Sequence, residues 1–197
     1  MSCLAESRQA MSRQYPGHIK GVTLIELLIV LVLAGILLSV AVPAFQDILR
    51  RQRLRIATND LLAAIDLTRS QAIARGSRVL MAPIESPGDD WRRGWAVFVD
   101  RNGNRRPDAG EPLIYRHGPL GDDMRLVSRF TSGAAPLYLA YNAAGRACSA
   151  DNSLAARWGT LSLTQGEDAR NIKINMLGRV RVCDPATEPA TCSGATE

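Results

Sequence analysis

The chain has 197 residues, 46% of them apolar but only 5% aromatic, and a formal net charge of +5. That length holds one ordinary domain and an appendage, with a core that must rely on aliphatic side chains. The charge is too mild to imply an anionic partner by itself, since residues 1–21 hold Arg8, Arg13 and Lys20 against Glu6 and their removal leaves +3. Lys20 and Lys173 are the only lysines. Nearly all the positive charge is therefore guanidinium, which makes forked contacts to phosphate that ammonium cannot. Codon bias in a GC-rich genome explains that excess more simply.

Residues 1–20 are polar and aperiodic, and Met11 offers an alternative start. From Leu27 to Val42 no residue is charged, and Glu26 stands alone near the start of the apolar block. Secretory signals place the apolar block before the cleavage site. Here the small residue Gly21 precedes it, so a cut between Gly21 and Val22 leaves the block attached. Arg13, His18 and Lys20 stay cytoplasmic under the positive-inside tendency. A carboxylate such as Glu26 in an apolar span needs a cationic partner. Pro43 removes a backbone donor inside the helical run and is expected to kink it.

Residues 44–75 continue as a helix, with Leu54, Leu61, Leu62, Ile65, Ala72 and Ile73 on one stripe and Arg50, Arg51, Arg53, Arg55, Asp66 and Arg69 opposite. Gly76 is the expected stop. Helix from Val22 to Arg75 would measure roughly 80 Å, more than a small domain can bury. The basic cluster Arg50–Arg55 reads as a solvated face just outside the membrane. Short alternating runs follow, at Arg78–Met81, Trp95–Asp100, Pro112–Arg116, Met124–Phe130, Leu137–Tyr141, Thr160–Gln165, Asn171–Met176 and Arg179–Cys183. Turn-rich segments part them, among them SPGDD, TSGAAP and TQGED. One helix and then a run of strands predicts an α+β fold, with antiparallel sheets packed on the helix.

The run Gly21, Val22, Thr23, Leu24, Ile25, Glu26, Leu27 resembles the type III signal of type IV pilins and pseudopilins, with valine where the family usually has phenylalanine. LTRSQAIARGSRV, WRRGWAVFVDRNGNRRPDAGEPL, YNAAGR and RNIKINMLGRVRV resemble the FimT/GspH group of minor pilins and pseudopilins. The resemblance implies a pilin-like fold, with a long N-terminal membrane helix on antiparallel sheets. It implies a leader over 1–21, a membrane and filament-core helix over 22–49, and a soluble domain over 50–197. Prepilin peptidase would cut after Gly21 and the amine of Val22 would be N-methylated. Glu26 would pair with the N-terminal amine of a neighbouring pilin, and Pro43 matches a pilin proline. The chain would sit in the bacterial inner membrane as a single pass with its soluble domain periplasmic, then move to a pilus at the cell surface.

Gly178-Arg179-Val180-Arg181 is the sharpest candidate for a binding site. Strand period places Arg179 and Arg181 on one face, about 6.6 Å apart, close to the step between phosphates of an extended nucleic-acid strand. Lys173 alternates with Ile172 and Ile174 and faces solvent. If Leu177-Gly178 is a hairpin turn, the three cations gather, with Arg170 close by. On spacing alone the same residues read better as a solvated hairpin with ordinary charge alternation. The motif resembles the one FimT-type pilins use to capture DNA in natural transformation, which implies sequence-independent binding of double-stranded DNA. The alternative is a structural or priming minor pilin, or a type II secretion pseudopilin without DNA binding.

Other features carry less. Asp100, Asn102, Asn104, Asp108 and Glu111 match ligand positions of an EF-hand loop, but Arg105 stands where glycine is wanted and strands flank it. A polar hairpin loop is the better reading, so neither metal nor cofactor is expected. Without His18, His117 is the only histidine and no nucleophile elbow is present, so no catalytic residue is assigned. Trp91 and Trp95 read as core and loop anchors rather than base-stacking platforms, and Trp158 fits either. Of the cysteines beyond Cys3, Cys183 and Cys192 bracket a short Pro- and Thr-rich loop that is easily closed, with Cys148–Cys183 the competing pairing.

Overall fold

Thr23 opens the helix. Its Oγ1 accepts the Glu26 N–H at 3.3 Å, and with Glu26 three positions on the pair has the sequence of a capping box. From there α1 runs over Leu24–Arg75, 52 residues with Pro43 inside it. It ends in a Schellman arrangement. Gly76, at φ 59°, donates to the Ile73 carbonyl, and Ser77 donates to that of Ala72, both at 3.2 Å. The structure is a computed structural model that describes residues 21–85, 89–131 and 135–195. The expected leader, with Lys20, His18 and Cys3, and residues 86–88, 132–134 and 196–197 lie outside the described residues.

The chain forms two compact units that divide between Phe45 and Gln46. In the first, the apolar side chains of α1 are exposed, Leu24 by 80% and Leu37 by 70%. This helix is long and apolar enough to cross a membrane.

In the second unit, α1 buries Leu54, Ala57, Leu61, Ala64, Ile65 and Ala72. Eight strands follow: β1 (Val79–Pro83), β2 (Trp95–Phe98), β3 (Leu113–His117), β4 (Met124–Phe130), β5 (Leu139–Tyr141), β6 (Gly159–Gln165), β7 (Asp168–Ile174) and β8 (Val180–Cys183). A short 3-10 turn, Trp91–Arg93, precedes β2. The strands make two antiparallel sheets, in the orders β3-β2-β1-β5 and β4-β6-β7-β8. One core joins them to the helix: Leu61 and Ile65 meet Met81, Val97 and Tyr141 of the first sheet and Leu126, Leu161 and Ile172 of the second. Burying each large aliphatic side chain contributes about 1.5–3 kcal/mol. A smaller cluster, with Leu80, Phe98, Tyr138 and Cys148, covers the other side of the first sheet.

Among the described residues eight strands occur where eight were expected, most within two residues of their predicted ends. The helix stripe needs one correction. Ile73 is 52% exposed, because it stands about 100° around the helix from Leu54. Small residues on the contact side, Ala57, Thr58, Ala64 and Thr68, are buried instead. The hydroxyls of Thr58 and Thr68 donate to the carbonyls of Leu54 and Ala64 at 2.7 and 2.6 Å, so neither is left as a bare polar group.

Candidate nucleic-acid interface

The hairpin between β7 and β8 is built by Asn175 and Gly178. Asn175 N–H donates to the Arg179 carbonyl at 3.0 Å, and Gly178 N–H to the Asn175 carbonyl at 2.9 Å. The loop therefore holds three residues, Met176 to Gly178, rather than the two expected. Asn175 Oδ1 accepts from the backbone N–H of Leu177 and Arg179 at 3.0 and 2.9 Å. Gly178 has φ 76°, as a three-residue hairpin requires of its last position. A Cβ there would lie 2.3 Å from the Gly145 carbonyl oxygen and 2.7 Å from Tyr141 Cε1. Tyr141 in turn donates its hydroxyl to the Gly178 carbonyl at 3.3 Å. Gly178 thus fixes the hairpin against the YNAAGR turn.

Register sets the faces. Lys173 pairs with Arg181 and Ile174 with Val180. Ile172 and Ile174 enter the core, so Lys173, Arg179 and Arg181 share the outer face. The Arg179 side chain is exposed and has no hydrogen bond or ion pair among the described residues. Arg181 makes an ion pair and a charge-assisted hydrogen bond with Glu188, and lies 3.4 Å from Thr191 Oγ1. Lys173 Nζ donates to Ser193 Oγ at 3.0 Å.

Arg170 does not join them. It pairs with Leu163 in the register, three residues from Lys173 and so on the opposite face at strand period two. There it is bridged to Asp184 at 2.7 Å. The expectation that Arg170 adds to the cluster is corrected on that ground.

The segment after β8 doubles back. A disulfide joins Cys183 to Cys192 with the Cα atoms 5.8 Å apart. Asn171 Nδ2 donates to the Cys192 carbonyl at 2.8 Å, and the Ala195 N–H to Ser162 Oγ at 2.6 Å. The tail thereby crosses the outer face of β7 and β6, and it explains why Ser162 and Asn171 are buried polar residues. Cys148 is a free, buried thiol, pushed up to about 11 by burial. Sequence reasoning missed that this face also carries the exposed Arg129, which pairs with Thr160, and Trp158, 42% exposed. Alternation within β4 and β6 held that signal, but only the pairing of those strands with β7 brings it to the hairpin.

Among the N-terminal residues, Gly21 and Val22 precede α1 and are exposed. Glu26 lies in its first turn, exposed, with no side-chain partner among the described residues. The acidic side chains of the loop 100–111 are satisfied within it, while Arg105 pairs outward with Asp151 at 2.6 Å. Asp100 accepts from the N–H of Gly103 and Arg105 at 2.7 and 3.0 Å. Asn102 and Asn104 both donate to Asp108 Oδ2, at 2.8 and 2.5 Å, and hold that carboxyl below its ordinary value. Glu111 Oε1 accepts from Arg101 N–H at 2.7 Å. His117 ends β3 and stacks on Trp95, with ring centroids 4.0 Å apart.

Comparison with known proteins accounts for the N-terminal helix and for most of the domain that follows it. Residues 57–178 match the family described as Type II transport protein GspH, and residues 17–42 match the prokaryotic N-terminal methylation motif. The chain belongs to the GspH family of type IV pilin-like proteins. The pilin-like protein PilA1 of Thermus thermophilus is 32% identical over 165 residues, covering 83% of this chain and 97% of that protein. The crystal structure of the type IV minor pilin FimU of Pseudomonas aeruginosa superposes with a TM-score of 0.53 at 18% identity. It covers 73% of this chain and 97% of that one, and so supports the pilin fold alone. A minor pilin or pseudopilin of the GspH family is a structural protein, not an enzyme, and association with other pilins and with prepilin peptidase follows from membership. The apolar helix and the motif fit a membrane-anchored pilin. The family match ends at Gly178, so Arg179, Arg181 and the disulfide tail lie beyond it.

Proposed function

We propose that this GspH-family pilin captures double-stranded DNA for uptake in natural transformation, independently of sequence, through Arg179, Arg181 and Lys173. The observation that carries the reading is Arg179: an exposed guanidinium at a rigid hairpin, with no counter-ion among the described residues. Phosphate is the ligand a lone, outward-facing arginine fork fits best. Gly178 acts by shaping the hairpin and touches no ligand. On the same reading the leader over 1–21 is cut between Gly21 and Val22, and the amine of Val22 is methylated. Glu26 then takes a neighbouring pilin's amine as its cation, and Pro43 belongs to the packed filament helix. The soluble domain faces the periplasm from the inner membrane before the subunit enters a pilus at the cell surface.

The gel shift of duplex DNA at low salt tests it. The full chain in nonionic detergent retards duplex DNA, and Arg179→Ala with Arg181→Ala removes the shift. Unaltered affinity in that double variant would overturn the assignment. A second reading, a priming pilin or a secretion pseudopilin, draws support from the partners that Arg181 and Lys173 already have in Glu188 and Ser193. It expects no shift with either protein.

A further inference from the structure

Among the described residues, Trp158 is the one aromatic side chain of the outer face that the core does not use. Trp91 and Trp95 are fully buried and belong to the main core, whereas Trp158 is 42% exposed. Its backbone is fixed, since its carbonyl accepts the Thr131 N–H at 2.9 Å. Gly159 pairs with Phe130 on one side and Ile174 on the other. The register carried one step further sets Trp158 between Thr131 and Asn175. It shares the outer face with Thr160, Lys173, Arg179 and Arg181.

Two rows of side chains cross this end of the sheet. One is Arg129, Thr160, Lys173, Arg181. The other is Thr131, Trp158, Asn175, Arg179. Arg129 and Lys173 are the diagonal neighbours of Trp158, each about 7–8 Å away and within reach of long side chains. The tail crosses at Ser162 and Asn171 and reaches Lys173 through Ser193, and Trp158 stays 42% exposed beside it. Met176 and Leu177 at the hairpin tip are also exposed, by 51% and 45%.

We infer that this end of the second sheet is a stacking platform for an unpaired deoxynucleotide. The base lies on the Trp158 indole, and the flanking phosphates meet Arg129 on one side and Lys173 and Arg179 on the other. Charge decides the occupant: an apolar face bordered by cations on two sides suits a ligand that alternates flat rings with phosphates. Every base has a π-face, so the contact is blind to sequence. A paired base offers no such surface without unstacking. The inference rests on the DNA-capture reading and adds a preference for single-stranded ends or frayed segments.

Intrinsic fluorescence tests it, because both other tryptophans are buried. The full chain in nonionic detergent is titrated with a deoxythymidine oligonucleotide of about 12 nucleotides and with a duplex of the same length. The oligonucleotide is expected to quench tryptophan emission and to bind more tightly than the duplex. Trp158→Ala should weaken the oligonucleotide about ten-fold and leave the duplex unchanged, while Trp158→Phe retains most of the affinity. Oligonucleotide binding without quenching, or with unchanged affinity in Trp158→Ala, overturns the platform and leaves DNA capture by the arginines intact. Failure to bind either form overturns both.

Discussion

The loop at 100–111 and the hairpin at 173–183 present similar signals in sequence, clustered charge on a turn between two strands. Their structures differ in where the charge goes. In the loop, Asp100, Asp108 and Glu111 are spent on backbone N–H groups and on the amides of Asn102 and Asn104. In the hairpin, Asn175 serves the turn and the Arg179 guanidinium is left over. A charged group whose bonds are made within its own segment stabilises that segment. One whose segment is complete without it is available to a partner.

The largest stability loss is expected where the hairpin is fixed. Gly178→Ala places a Cβ against the Gly145 carbonyl and demands φ 76° of an L residue, a cost of about 3 kcal/mol. The shift of the urea midpoint at constant slope measures it. Next is Asp100→Ala, which strips two N–H groups of their acceptor at a nearly buried position and costs about 2 kcal/mol in the same assay. Arg179→Ala sharpens the contrast, with stability unchanged within about 0.5 kcal/mol. Glu188→Ala frees Arg181 from its ion pair. Exposed pairs are weak, so duplex affinity should rise only a few-fold, read by titration at low salt. Weaker binding would mean that Glu188 orients Arg181 rather than occupying it.

The smallest effect is that of a chelator. A loop whose carboxylates are already satisfied by its own donors should melt at the same temperature with or without it. A rise in melting temperature on adding calcium would break the comparison. Acid should act on the loop instead. The native value of Asp108 lies below its ordinary 3.8. Its contribution is therefore complete above that ordinary value and is lost as pH falls through the lower native one.

The helix, its C-terminal stop and the strands were legible because they rest on local chemistry. Gly76 and the alternation in β4, β6 and β7 are signals carried within a few residues, whereas the Thr23 cap appears only in the structure. Arg170 was misplaced because a cation's nearness in sequence says nothing of its face, and a three-residue offset reverses it. Arg129 went unseen and Trp158 was not placed because their partners lie about 45 and 15 residues away, across strand pairings that no local pattern states. The tail was legible only as a loop easily closed, and nothing in DPATEPAT announces that Glu188 meets Arg181.

By itself the sequence determined the apolar helix, the motif at Gly21–Glu26, the family and the pilin class of fold, since periodicity and local motif chemistry act at short range. Only the tertiary structure decided which charges remain for a partner. The order β4-β6-β7-β8 and its register bring Arg129, Trp158, Lys173 and Arg179 to one face, and the returning tail engages both Arg181 and Lys173, which leaves Arg179. Those are long-range pairings, fixed by which apolar faces bury each other, and the outward side chains take their neighbours as a consequence.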